Sequence, residues 1–177
     1  MLKNNLMLDV DLRSTVKMEY AKEMKYKRME VFKMEDIFKE ALTGEVLENA
    51  LNFVKFLNAN EIVLAKQHEL HYKGERVCYI DTFKDSNTWS VWTEGDYSNE
   101  CENFPIDKRT KEIAWKHAAK CGNCEGTDCS PGITKIIFGK AFANICNGAH
   151  VDMRFENPDA ETLEGLKKLL DEKIYYG

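Results

Sequence analysis

Residues 62–93, IVLAKQHELHYKGERVCYIDTFKDSNTWSVWT, decide the fold class. Ile62 to Lys66, Leu70 to Tyr72, Val77 to Thr82 and Thr88 to Thr93 are rich in β-branched and aromatic side chains. Lys73-Gly74-Glu75 and Lys84-Asp85-Ser86-Asn87 separate the later ones with turn-forming residues. The pattern predicts antiparallel hairpins. Side chains alternate across a strand, so Trp89, Val91 and Thr93 point one way and Ser90 and Trp92 the other. At least one tryptophan therefore meets a helix layer, a partner or a pocket.

Working outward, helical periodicity flanks the hairpins. Thr43 is a good N-cap, and Val46, Leu47, Ala50, Leu51, Val54 and Leu57 recur at helical spacing until Asn58-Ala59-Asn60 ends the run. Residues 34–42 read as a shorter helix before Gly44. Asp107 caps a helix expected to run to about Lys120, with Ile113, Ala114, His117 and Ala118 inward and Cys121 one turn beyond His117. Ile133 to Phe138 reads as a buried strand and the segment after Gly139 as a helical turn. Met153 and Phe155 alternate with Asp152 and Arg154, the pattern of a strand with one wet face. Asn157 caps a closing helix with Pro158 in its first turn and a stripe of Leu163, Leu166, Leu169 and Leu170. Hairpins with segregated helices make an α+β fold: an antiparallel sheet with helices packed mainly on one face, those at 44–58 and 157–173, and a Cys-rich loop between a helix and a strand.

A chain of 177 residues has room for one good core. We read residues 1–33 as an N-terminal arm or helix and 34–177 as a single α+β domain. In the arm, Ser14 can cap a helix whose Val16, Tyr20 and Met24 form a stripe that docks on the body or makes a homodimer. The net charge of −5 excludes bulk attraction to nucleic acid or to an anionic membrane. The basic run Lys22, Lys25, Lys27, Arg28 and Lys33 is interrupted by Glu19, Glu23 and Glu30, as on a solvated helix face. Neither a signal-like leader nor an apolar run of bilayer length is visible, so the expected location is cytoplasmic.

Four of the six cysteines lie between Cys121 and Cys146. Cys121-x2-Cys124-x4-Cys129 is a three-thiol knuckle with Gly122 and Gly126 letting the chain wrap closely, and Cys146 is the natural fourth ligand. Zinc takes four tetrahedral S and N ligands, so this set fits a structural zinc staple, with His117 as the substitute ligand and His150 and Cys101 behind it. Two alternatives stand beside it. The cysteines are reduced core residues, or the CxxC performs thiol-redox chemistry, against which the preceding helix counts by setting its negative end near Cys121.

The segments HYKGERVCYI, TWSVW, IAWKHAAKCGNCEGTDCSPG, IIFGKAFANIC and RFENPDAETLEGLKKLL resemble a group of uncharacterised small bacterial proteins of Firmicutes type. The shared features over residues 60–173 are the Cys-rich loop ending in Ser-Pro-Gly, the Phe-Gly-Lys turn and the Asn-Pro-Asp helix start. The strand–helix order is loosely similar to YjbR-like α+β domains. The resemblance implies a fold and carries no catalytic residues.

No Walker loop, GxGxxG, GxSxG or HExxH is present, which leaves the question of enzymatic activity open. His68 and His71 face opposite sides of a strand unless a turn intervenes, and the acidic set Glu94, Asp96, Glu100 and Glu102 reads as a solvated loop. Tyr79, Trp89, Trp92 and Trp115 can line a small-molecule pocket on the sheet, with Arg76, His117 and Lys140 as polar contributors, or pack as core.

Overall fold

The structure is a computed structural model that describes residues 34–66, 68–95, 106–122, 131–147 and 152–176. Residues 1–33, most of the acidic loop, and Cys101, Cys124, Cys129 and His150 lie outside the described residues. Helix α1 covers 34–41 and α2 spans Gly44–Ala59. Strands β1 (Val63–Lys66), β2 (Glu69–Tyr72), β3 (Glu75–Phe83) and β4 (Thr88–Thr93) follow as an antiparallel meander. Helix α3 is Lys108–Lys116, β5 and β6 are Ile133–Ile137 and Lys140–Ile145, β7 is Met153–Glu156, and α4 is Ala160–Tyr176.

β7 pairs antiparallel with β4, giving the sheet order β1-β2-β3-β4-β7, while β5 and β6 form a separate ribbon. The hairpin turns follow from backbone chemistry. Lys73 and Gly74 both adopt positive φ, 50° and 91°, as do Phe138 and Gly139 at 46° and 79°, the left-handed pair that a two-residue turn needs. The second turn corrects the expectation of a helical segment after Gly139. Residues 140–145 are a strand because the tight turn folds them back onto β5, with Ile137 opposite Lys140.

One face of the main sheet makes the core. Leu70, Cys78, Ile80, Trp89, Val91, Met153 and Phe155 are buried there against Phe38, Phe53, Leu57, Leu163, Leu166 and Leu170 from the helices. Trp89 sits at the centre, 5.4 Å from the ring of Phe38 and 5.6 Å from that of Phe53. Helices α3 and α4 pack closely at Gly165, where a β-carbon would lie 2.6 Å from Ile113 Cδ1. The expected α+β fold with helices on one face is what the chain adopts.

Two caps differ from expectation. Thr43 makes no side-chain cap; its N–H donates instead to Asn87 Oδ1 at 2.7 Å. Asn157 does not cap α4 either. Asp159 does, accepting from Thr162 N–H at 2.8 Å, while Asn157 Oδ1 accepts from Trp89 N–H and its Nδ2 donates to the Asn87 carbonyl. Asn87 and Asn157, both left-handed, thus tie the α1–α2 junction, the β3–β4 turn and the entry to α4 into one knot. Asp107 does cap α3, accepting from Thr110 N–H at 2.9 Å. That hydrogen bond holds its carboxyl down at about 2.

α3 ends at Lys116, short of the expected Lys120, and the chain turns extended. Ala119 N–H donates to the Asp152 carbonyl and Arg154 N–H to the His117 carbonyl, while Cys146 N–H donates to the Ala119 carbonyl and Cys121 N–H to that of Asn144. Residues 117–121 are therefore bonded along both edges, to the start of β7 on one side and to the end of β6 on the other, with Ala118 opposite Met153 and Lys120 opposite Ile145. Four hydrogen bonds to other strands outcompete the final turn of a short helix.

Two side-chain ties reinforce the seam. Trp115 Nε1 donates to the Ile137 carbonyl at 2.8 Å. Lys135 on β5 forms a close ion pair with Asp152, whose carboxylate is buried and also accepts from Gly95 N–H at 3.1 Å. Removing the lysine takes a direct ion-pair partner away from a buried carboxylate. Lys135→Met is expected to cost about 3 kcal/mol in urea unfolding, and adding Asp152→Asn to recover most of that loss. Equal stability of Lys135→Met and the parent chain would refute the tie.

Candidate ligand cleft at the seam

The face of the sheet opposite the helices carries a row of aromatic and cationic side chains. Tyr79 on β3 is the register partner of Trp92 on β4, and Trp92 that of Arg154 on β7. The Arg76 guanidinium lies 4.6 Å from the Tyr79 ring and that of Arg154 4.8 Å from Trp92. Trp92 Nε1 donates to Ser90 Oγ at 3.1 Å, so a fully buried serine fixes the ring's edge.

Beside this row, where residues 117–121 cross the seam, a cleft of about 360 Å³ opens. Its lining is Trp92, Arg154 and Glu156 from the sheet, Lys116 to Lys120 from the bridging segment and the end of α3, and Cys146. The lining holds three permanent cations, Lys116, Lys120 and Arg154, against one carboxylate, Glu156, in a chain that is acidic overall. The negative end of α3 points toward the cleft, and Lys116 in its last turn offsets that partial charge.

His117 caps α3 and stacks on Phe155 with ring centroids 4.6 Å apart. Its Nδ1 is 3.2 Å from the Arg154 carbonyl, which only accepts, so Nδ1 carries the proton and Nε2 is left as an acceptor. Burial pushes its pKa below the ordinary imidazole value, the carbonyl hydrogen bond opposing.

Of the residues named from sequence, Trp92 and His117 meet in this cleft with Cys146, and Tyr79 and Arg76 extend the same face. Trp89 lies on the other face, fully buried among the helices. Trp115 is committed to the ribbon through Ile137, and Lys140 stacks over it at 4.9 Å. Arg154, Glu156, Lys116 and Lys120 were not singled out as contributors. His68 pairs with Asp81 at 3.1 Å and His71 with Glu69 at 3.0 Å, so each has its own carboxylate.

Ala119 and Cys146 both line the cleft, and strand alternation sets Cys121 on the same side as Ala119. Cys124 and Cys129 lie outside the described residues. Among the described residues no group of three or more His, Cys, Asp or Glu side chains closes around one metal position. Cys78 is on the core face, where burial pushes its thiol up to about 12. Among the described residues no helix is long and apolar enough to cross a membrane.

No family model, curated protein or solved structure matches this chain.

Two outcomes test this description. A histidine whose folded pKa is lowered binds fewer protons folded than unfolded near pH 6, so stability falls as pH drops below the unfolded value. His117→Gln is expected to lose less stability than the parent chain between about pH 7 and pH 5, read by urea midpoints. Native alkylation with iodoacetamide followed by peptide mapping is expected to leave Cys78 unmodified; its labelling in the folded protein would contradict the buried thiol.

Proposed function

We propose that this chain is a cytoplasmic binding domain for a small organic molecule, held in the cleft beside Trp92, and that Cys121, Cys124, Cys129 and Cys146 hold a structural zinc ion next to it. The observation that carries the reading is the position of the cleft. It opens where the doubly bonded segment 117–121 joins the ribbon to the sheet, and it combines an aromatic wall with convergent cations. A pocket assembled from four chain segments has its geometry set by the fold, which favours recognition over incidental packing.

The zinc part has its own support. Cys121 ends the bridging segment and Cys146 follows the last residue of β6, and strand alternation sets both side chains toward one side of the seam. Cys124 and Cys129 follow within eight residues of Cys121 in sequence. A metal there ties the helix and the ribbon together without competing for the cleft's cations. Native mass spectrometry of freshly purified, reduced protein is expected to show one zinc per chain, lost in Cys121→Ser and in Cys146→Ser. Metal-free protein whose thiols all titrate freely would sink the staple.

One observation favours the thiol-redox reading as the alternative. α3 stops at Lys116, so Cys121 stands five residues beyond the helix end and outside its last turn. That removes the electrostatic objection to an activated thiolate. This alternative requires Cys121 or Cys124 to alkylate faster than a free thiol near neutral pH.

A further inference from the structure

The guanidinium of Arg154 is half used. An arginine presents a side-on fork, Nε–H and Nη2–H on one edge, matched to the two oxygens of a carboxylate or the paired oxygens of a phosphate. Glu156 takes one prong, its Oε2 lying 2.5 Å from Nη2. The other prong, Nε, is buried and has no hydrogen-bond partner among the described residues. A buried N–H without an acceptor is costly, and an arrangement that supplies one gains that cost back. Glu156 itself is at the rim with its side chain 51% exposed, so swinging it into water is cheap, while Arg154 is held by its stack on Trp92.

The geometry points to Arg154 as the anchor for an oxyanion, carboxylate or phosphate, that displaces Glu156 and engages both prongs of the fork. The rest of the ligand lies along Trp92 toward His117, and Lys116 and Lys120 supply further positive charge in the same lining. Glu156 is then an internal competitor: it occupies the anion's place when the cleft is empty and sets how strong an anion must be to enter. The inference rests on the reading of this cleft as the ligand site.

The test uses the full chain with three probes, benzoate, phenyl phosphate and neutral phenol, followed by calorimetry and tryptophan fluorescence. In Glu156→Ala the anionic probes are expected to bind about tenfold tighter than to the parent chain, with phenol unchanged. In Arg154→Lys, which keeps the charge and loses the fork, they are expected to bind about tenfold weaker. The probe that gains more from Glu156→Ala identifies the headgroup as carboxylate or phosphate. Equal gains for phenol and the anions mean that the substitution only made space, which overturns the proposal. Anion binding that is lost on reversing Lys116 and Lys120 but unchanged in Glu156→Ala and Arg154→Lys also overturns it, and leaves the cleft as a ligand site. No binding of any probe to any variant overturns the cleft reading and this inference with it.

Discussion

The fold depends on one short segment that hydrogen-bonds along both edges. Residues 117–121 give and receive main-chain bonds to β7 on one side and to β6 on the other. Without them no main-chain hydrogen bond among the described residues joins the β5–β6 ribbon to the five-stranded sheet, and only side-chain ties and packing hold the two together. With them the strands make one continuous surface, and α3 is anchored at its C-terminal end by the chain that leaves it. The main-chain bonds of His117, Ala119 and Cys121 to both neighbours fix the path of the backbone along the seam.

The two faces of the sheet divide the labour. The helix side is dry: Trp89, Phe53, Phe38 and the leucines of α4 remove a continuous apolar surface from water, which is the dominant favourable contribution to folding. The open side stacks cations on aromatic rings, Arg76 on Tyr79 and Arg154 on Trp92, while an edge of each guanidinium pairs with a carboxylate, Glu94 and Glu156 respectively. Apolar burial and cation–aromatic stacking thereby fall on opposite sides of the same strands, with the backbone between them.

Much of this was legible in the residues. β4 covers the predicted Thr88–Thr93, and the helix predicted over 44–58 ends one residue later. Alternation alone separated Trp89 from Trp92, and it put Arg154 on a wet face. What was hidden depended on partners distant in sequence. The end of α3 is decided by hydrogen bonds to Asn144, Cys146, Asp152 and Arg154, none of which is local. The strand after Gly139 was masked because Asn144 adopts a left-handed conformation and the register shifts along the ribbon, which breaks the two-residue period. Asn157 and Asp159 are both good caps; only the location of Trp89 and Asn87 shows why the asparagine is used elsewhere. Trp92 and His117 were legible as cleft residues, whereas Arg154 and Glu156 were hidden because the opposition of Trp92 and Arg154 is a register between strands some sixty residues apart.

The strand order has a consequence for how the chain reaches this state. β7 follows β4, β5 and β6 in the chain, yet it is flanked by β4 and by the bridging segment. Until it arrives, β4 presents an unpaired edge, and the residue knot at Asn87 lacks its Asn157 half. Completing the sheet therefore requires closing loops of about sixty residues, the kind of non-local step that slows folding and leaves a strand edge exposed to other chains in the meantime. The edge of β4 thus stays open until residues 153–157 have been made, and the strand that covers it has only four residues.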